Sequence, residues 1–181
     1  MKYMLNGSFS GNPLMRVTLT ASLVFLSAFW VTTAALFFSK MNLTPTAVAA
    51  YYRGSEANFT PPRTFGAMLE VTHGHLPVMA LAALLLTHLY IFTRESERIK
   101  IFAILAFFAA AFFGEAAGWL VRFVHPAFAW LKIAAFIALE VSMAYIIRGL
   151  FQMLLTRNGQ AGPPGQAARR EKGQASKTVG T

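Results

Sequence analysis

The stretch LEVTHGHLPVMALAALLLTHLYIFT, residues 69–93, is apolar for long enough to cross a bilayer, yet it carries a glutamate and three of the chain's four histidines. A hydrocarbon core about 30 Å thick takes roughly 20 apolar residues of helix. Each imidazole in such a segment must find a partner in oil, so the same residues bear on fold and function together.

Working outward, the apolar run extends over residues 65–92, and segments 17–38, 99–124 and 126–155 match it in length and character. The 181-residue chain is 56% hydrophobic and 14% aromatic, with a mean hydropathy of +0.50, too apolar for a soluble domain of this size. An all-α, integral membrane four-helix bundle is expected. The first segment follows Lys2 and Arg16, but its apolar run exceeds the roughly 7 to 15 residues of a leader core and no small-x-small site follows, so it is read as a retained anchor.

The net charge of +9 is sorted by side. Lys2, Arg16, the turn RESERIK and the tail RNGQAGPPGQAARREKGQASK fall on one side, and Lys40, Arg53, Arg63 and Arg122 on the other. The positive-inside rule then places both termini in the cytoplasm. The resulting plan is a cytoplasmic lead-in (1–16), a four-span bundle (17–155) with an outer loop (39–64), and a disordered basic tail (156–181). The tail's charge suits anionic lipid rather than nucleic acid.

Inside the outer loop, TPTAVAAYYRG reads as a short helix capped by Thr44, opened by Pro45 and stopped by Gly54. Two Asn-x-Thr triplets, at Asn42 and Asn58, carry little weight, since such triplets are common by chance. RFVHP is a tight outer turn that makes the last two spans antiparallel neighbours. Cysteine is absent, which excludes disulfides, thiolate metal sites and iron–sulfur clusters. No nucleophile elbow, phosphate loop or zinc-protease motif is present, so the chain is not expected to be an enzyme on its own.

At 100° per residue, Glu70, His73, Pro77, Leu81, Leu84 and His88 share one stripe of the second span, with His75 nearly opposite His73. His73 and His88 are about 22 Å apart along the axis. An ionisable group within a span costs about 2.5 kcal/mol or more, so each asks for a function. In the third span Glu115 sits between Gly114 and Gly118, level with His73 at about 12 Å below the outer boundary and within reach of it. The two glycines offer a face that a helix or a flat ring can approach. The last span adds His125, Lys132, Glu140, Met143 and Arg148, with Arg148 and, less easily, Lys132 snorkelling to water.

Three chemistries fit these residues. One is a b-type haem near the outer face, ligated from His73, His75, His125 and His88. A second is a single copper, iron or zinc ion on Glu70, His73, His75 and Glu115, since EVTH is the Glu-x-x-His of carboxylate-bridged metal bundles. A third is a proton or quinone path through Glu70, His73 and Glu115, which needs no resident cofactor. Beside them stands a plain reading in which the same groups form a buried structural network.

The histidines near both ends of the second span resemble the membrane cytochrome b class, in which two helices each contribute a pair of histidines. Here the comparable pairs, His75 with His88 and His73 with His88, lie on one helix, and Glu140 and Met143 stand where the fourth span would need another histidine. The resemblance therefore implies one outer haem at most. Separately, TPTAVAAYYRGSE, the second span with its HxH, GWLVRF and PAFAWLK together resemble a group of small bacterial four-helix inner-membrane proteins. That resemblance implies the topology and a multi-pass place in a bacterial inner membrane, and supplies no activity.

The leading expectation is a redox-associated inner-membrane subunit that binds haem b or a metal near its outer face and takes part in electron transfer. Its partners would be the bilayer and a periplasmic electron carrier, quinone or a larger membrane complex, with an oligomer allowed. The alternatives are a non-catalytic accessory or assembly protein without cofactor, and a proton-coupled transport component.

Overall fold

The computed structural model describes residues 13–57 and 59–158. The lead-in up to residue 12, the sequon at Asn58 and the tail from residue 159 lie outside the described residues.

The elements are α1 (Pro13–Lys40), α2 (Pro45–Arg53), α3 (Phe65–Tyr90), α4 (Glu97–Phe123), a 3-10 turn (Pro126–Phe128) and α5 (Ala129–Asn158). Four of the helices are long and apolar enough to cross a membrane. Several of their hydroxyls cost little in oil because they turn back onto their own helix: Ser27 donates to the Leu23 carbonyl at 2.7 Å and Thr87 to that of Ala83 at 2.7 Å. The helices also run past the apolar windows. α1 starts four residues ahead of residue 17, because Pro13 suits a first helical turn and the chain stays helical into the interface.

The helix ends are set locally. Asn42 accepts from the Thr44 amide at 2.9 Å, and Thr44 caps α2 through its hydroxyl. Gly54 ends that helix at a φ of 82°, where an added Cβ would meet the Thr60 carbonyl oxygen at 2.6 Å. Glycine is required there. Thr64 caps α3 by accepting from Ala67. At the other end Lys100 donates to the carbonyls of Ile91 (2.8 Å) and Thr93 (2.7 Å), closing the turn into α4. His125 is the cap of the 3-10 turn, its Nδ1 accepting from the Ala127 amide at 3.1 Å.

α5 is the central helix. It packs along α4, as the tight turn between them dictates, and α1, α2 and α3 lean on it. α1 and α3 scarcely meet. Two apolar clusters result. One, nearer the α3–α4 turn, is built on Leu23, Leu86, Tyr90, Phe107, Met143 and Leu150. The other lies beneath α2 around Tyr52, Val121, Ile133 and the stacked rings of Phe37 and Phe136, whose centroids are 3.7 Å apart. α2 is held over its end of the bundle by Arg53, which donates to the Val121 carbonyl at 3.4 Å, and by Arg122, which donates to that of Arg63 at 2.6 Å.

Candidate functional site

Because α1 and α3 stand apart, a cavity of about 210 Å³ remains between them, floored by α4 and α5 and covered by α2. Its deep end is apolar, with Phe29, Met79, Ala111 and Leu139. Its middle is polar, with His75, Glu115, Lys132 and Tyr52, and Lys40, Tyr51 and Arg63 stand toward the α2 end.

The middle layer is wired across helices. His75 Nδ1 lies 2.9 Å from Glu115 Oε1, joining α3 to α4. Thr72 donates to Glu115 Oε2 at 3.5 Å and accepts from the Trp119 indole at 2.9 Å. Lys132 donates to the Gly114 carbonyl at 2.7 Å. That bond uses one of its three ammonium protons, and no carboxylate pairs with Lys132, Lys40 or Arg63 among the described residues. The Arg63 guanidinium lies over the Tyr51 ring, 4.4 Å from its centroid. Tyr52 lies buried against Gly118, and burial is the main cause that pushes its phenol well above the ordinary range.

With Glu115 ionised, His75 Nδ1 carries the proton and donates to it, so Nε2 is left to accept from an occupant of the cleft. The site can therefore take up a proton at Nε2 and hold the resulting imidazolium against a carboxylate. Lys132, Lys40 and Arg63 favour an electron-rich or anionic oxygen beside it.

The expected residues separate. His75, not His73, reaches Glu115, which corrects the expectation that His73 and Glu115 meet. The stripe of Glu70, His73 and His88 is exposed, on the side of α3 away from the bundle. The physical reason is that an apolar face of a membrane helix can meet lipid or protein alike, so sequence pattern did not say which face turns inward. His73 has no hydrogen-bond or ion-pair partner among the described residues. His88 sets its ring edge against Phe92, 5.7 Å between centroids. His125 is occupied as a cap. Glu140 Oε1 is buried without a hydrogen-bond partner, and the Trp30 indole donates instead to the Glu140 backbone carbonyl at 3.2 Å. Met143 is fully buried in the core. Lys132 does not snorkel but crosses to α4. Among the described residues no group of three His, Asp or Glu gathers as a metal-ligand set.

Lys132 and Gly118 were visible in the sequence as an intramembrane cation and a small residue, without their partners. Thr72 and Tyr52 carried no signal of a site, since a threonine within a span usually returns to its own backbone.

A family model described as a transmembrane helical domain, Aq_1264_TM, matches residues 42–160. The match takes in α2 to α5 and the cleft walls they form, and leaves α1 outside. With the four apolar helices it makes this a multi-pass membrane protein. Neither the search of curated proteins nor that of solved structures found a match.

Proposed function

We propose that this chain, which belongs to the Aq_1264_TM family of transmembrane helical domains, is a redox-associated membrane subunit whose cleft binds the head of a lipophilic quinone or quinol. One observation carries the reading: an imidazole–carboxylate pair, His75 with Glu115, faces a cavity that is polar in its middle, apolar at depth and flanked by two helices that scarcely touch. A quinone needs an apolar slot for its tail, a donor for each carbonyl oxygen and a group to exchange its protons. Lys132 and Tyr52 supply donors and His75 Nε2 the proton acceptor. Electrons would pass to or from a redox carrier held by a periplasmic or membrane partner. The positive-inside rule sets the α2 end outside, and in this reading the membrane is a bacterial inner membrane.

This favours quinone over haem or a metal among the expected ligands. With Glu115 on Nδ1, His75 Nε2 would suit a metal or haem iron as one ligand. Yet His73 turns to the other side of α3 and His125 is engaged as a cap, so the expected second ligand is not beside it.

The test uses the intact protein in quinone-free nanodiscs, titrated with a short-tailed ubiquinone and a short-tailed menaquinone while tryptophan fluorescence is read. Saturable quenching, abolished in His75→Ala and weakened in Lys132→Met, is expected. A protein that carries no quinone from its native membrane and shows no saturable response to either probe would refute the reading.

A second reading rests on the chain of bonds from Trp119 through Thr72 and Glu115 to His75, which ties α3 to α4. In it the network is structural and the protein an assembly or accessory factor. His75→Ala would then lower thermal stability, with no binding to lose.

A further inference from the structure

α3 carries its chemistry on two sides. His75 faces the cleft, and the opposite side presents Glu70, His73 and His88 together with Leu81 and Leu84, which are 62% and 59% exposed. Ionisable residues within spans almost always face protein or a water-filled cavity, because lipid cannot solvate them. The outward faces of α1 and α4 differ: they present Val24, Phe25 and Val31, and Ile101, Phe102 and Leu105. Two further features mark the α3 face as a contact surface. Gly66 and Gly74 have nothing within 4 Å of an added Cβ, so another helix can approach the backbone there. Pro77 lies within α3 and has no N–H, which deprives the His73 carbonyl of its helical donor in a medium without water.

We infer that this face of α3 binds the same face of a second copy of the chain, across a two-fold axis along the membrane normal. Two copies inserted with one topology place their α3 helices parallel and at equal depth. Glu70 of one then lies about 4.5 Å along the axis from His73 of the other, and the relation holds in both directions. Each copy thus offers an acceptor and a donor to an identical surface, a self-complementary charge pattern that calls for no third protein. The leucines fill the seam below, and His75 and the cleft stay on the far side of each α3, so the contact leaves both clefts open.

The absence of cysteine makes the test direct. Leu81→Cys and Leu84→Cys are placed singly in the full chain and oxidised in native membranes, with Phe102→Cys on α4, 75% exposed, as the control for random collision. Both α3 variants are expected to give a covalent homodimer that Phe102→Cys does not. Adding Glu70→His should abolish the band, and adding Glu70→His with His73→Glu should restore it, because exchanging donor and acceptor preserves the reciprocal pairing. The cysteine-free parent should have the mass of a dimer by native mass spectrometry from nanodiscs. A monomeric parent, equal cross-linking at Phe102→Cys, or cross-linking of Leu84→Cys to a different protein would each overturn the inference.

Discussion

Replacing Gly118 by alanine should destabilise the bundle, while the same change at Gly114, one turn earlier on α4, should not. A Cβ at position 118 would lie 3.0 Å from the Tyr52 hydroxyl oxygen and 3.1 Å from two ring carbons. Tyr52 cannot easily retreat. It is 7% exposed, packed among Val48, Met68, Val121 and Ile133, and its carbonyl is held by the Arg63 amide at 3.0 Å. Overpacking of this kind costs about 1–3 kcal/mol, against a gain in helix propensity of at most about 1 kcal/mol. The net change is a loss of about 0–2 kcal/mol. At position 114 the new Cβ would meet only the Ala135 Cβ, at 4.0 Å, so the propensity gain stands alone. The propensity gain cancels between the two variants, so they should differ by the overpacking cost of about 1–3 kcal/mol, roughly 5- to 150-fold in an unfolding equilibrium. The assay is reversible unfolding of both proteins in one detergent, read by tryptophan fluorescence. Equal stabilities, or a more stable Gly118→Ala protein, would refute the packing of Tyr52 on α4.

Other consequences can be measured alongside. Gly149→Ala should cost about 1–3 kcal/mol in the same assay, because its Cβ would come within 2.9 Å of the ring of Tyr90, which has no exposed surface. The raised phenol of Tyr52 makes the fold alkali-sensitive: the contribution is complete below the ordinary tyrosine value of 10.0 and is lost as pH rises from there through the folded value. Tyr52→Phe should accordingly flatten the fall in stability above that pH. Reporter fusions test orientation: a periplasm-dependent phosphatase should be active when inserted in the loop that follows α2 and inactive when fused after α5, and the opposite pattern would reverse the assignment of sides. Reduced-minus-oxidised visible spectra of the purified protein should lack a haem band, and a sharp reduced band lost in His75→Ala would replace the quinone reading with a haem one.

The number of spans was legible because length and apolarity are properties of the chain itself, and the bilayer imposes the same length on every span. α2 was legible too, since Thr44, Pro45 and Gly54 act through bonds and dihedral limits a few residues wide; the Asn42 bond that supports Thr44 was seen only in the structure. The antiparallel pairing of α4 with α5 followed from the shortness of the turn that joins them. The candidate site was legible only as an inventory. Glu115 was singled out, but it was assigned to His73, two residues from the histidine that reaches it.

That error has a physical cause. In a soluble helix the apolar face points to the core, so pattern reports direction; in a membrane helix lipid accepts the apolar face as readily as protein does. Rotation about the α3 axis is then fixed by what the neighbours offer: Glu115 and the Trp119–Thr72 bond for one side, the apolar cluster at Leu86 and Tyr90 for its lower half. Glu115 lies 40 positions from His75 and Trp119 lies 47 from Thr72, and Gly114, whose carbonyl accepts from Lys132, lies 18 from it, so none of these partners is a neighbour in sequence order. The sequence by itself determined a four-span helical membrane protein with ionisable groups at membrane depth. Tertiary structure alone decided which of them share a cleft and which face outward, because that choice depends on helix rotation and on the gap left where α1 and α3 do not meet.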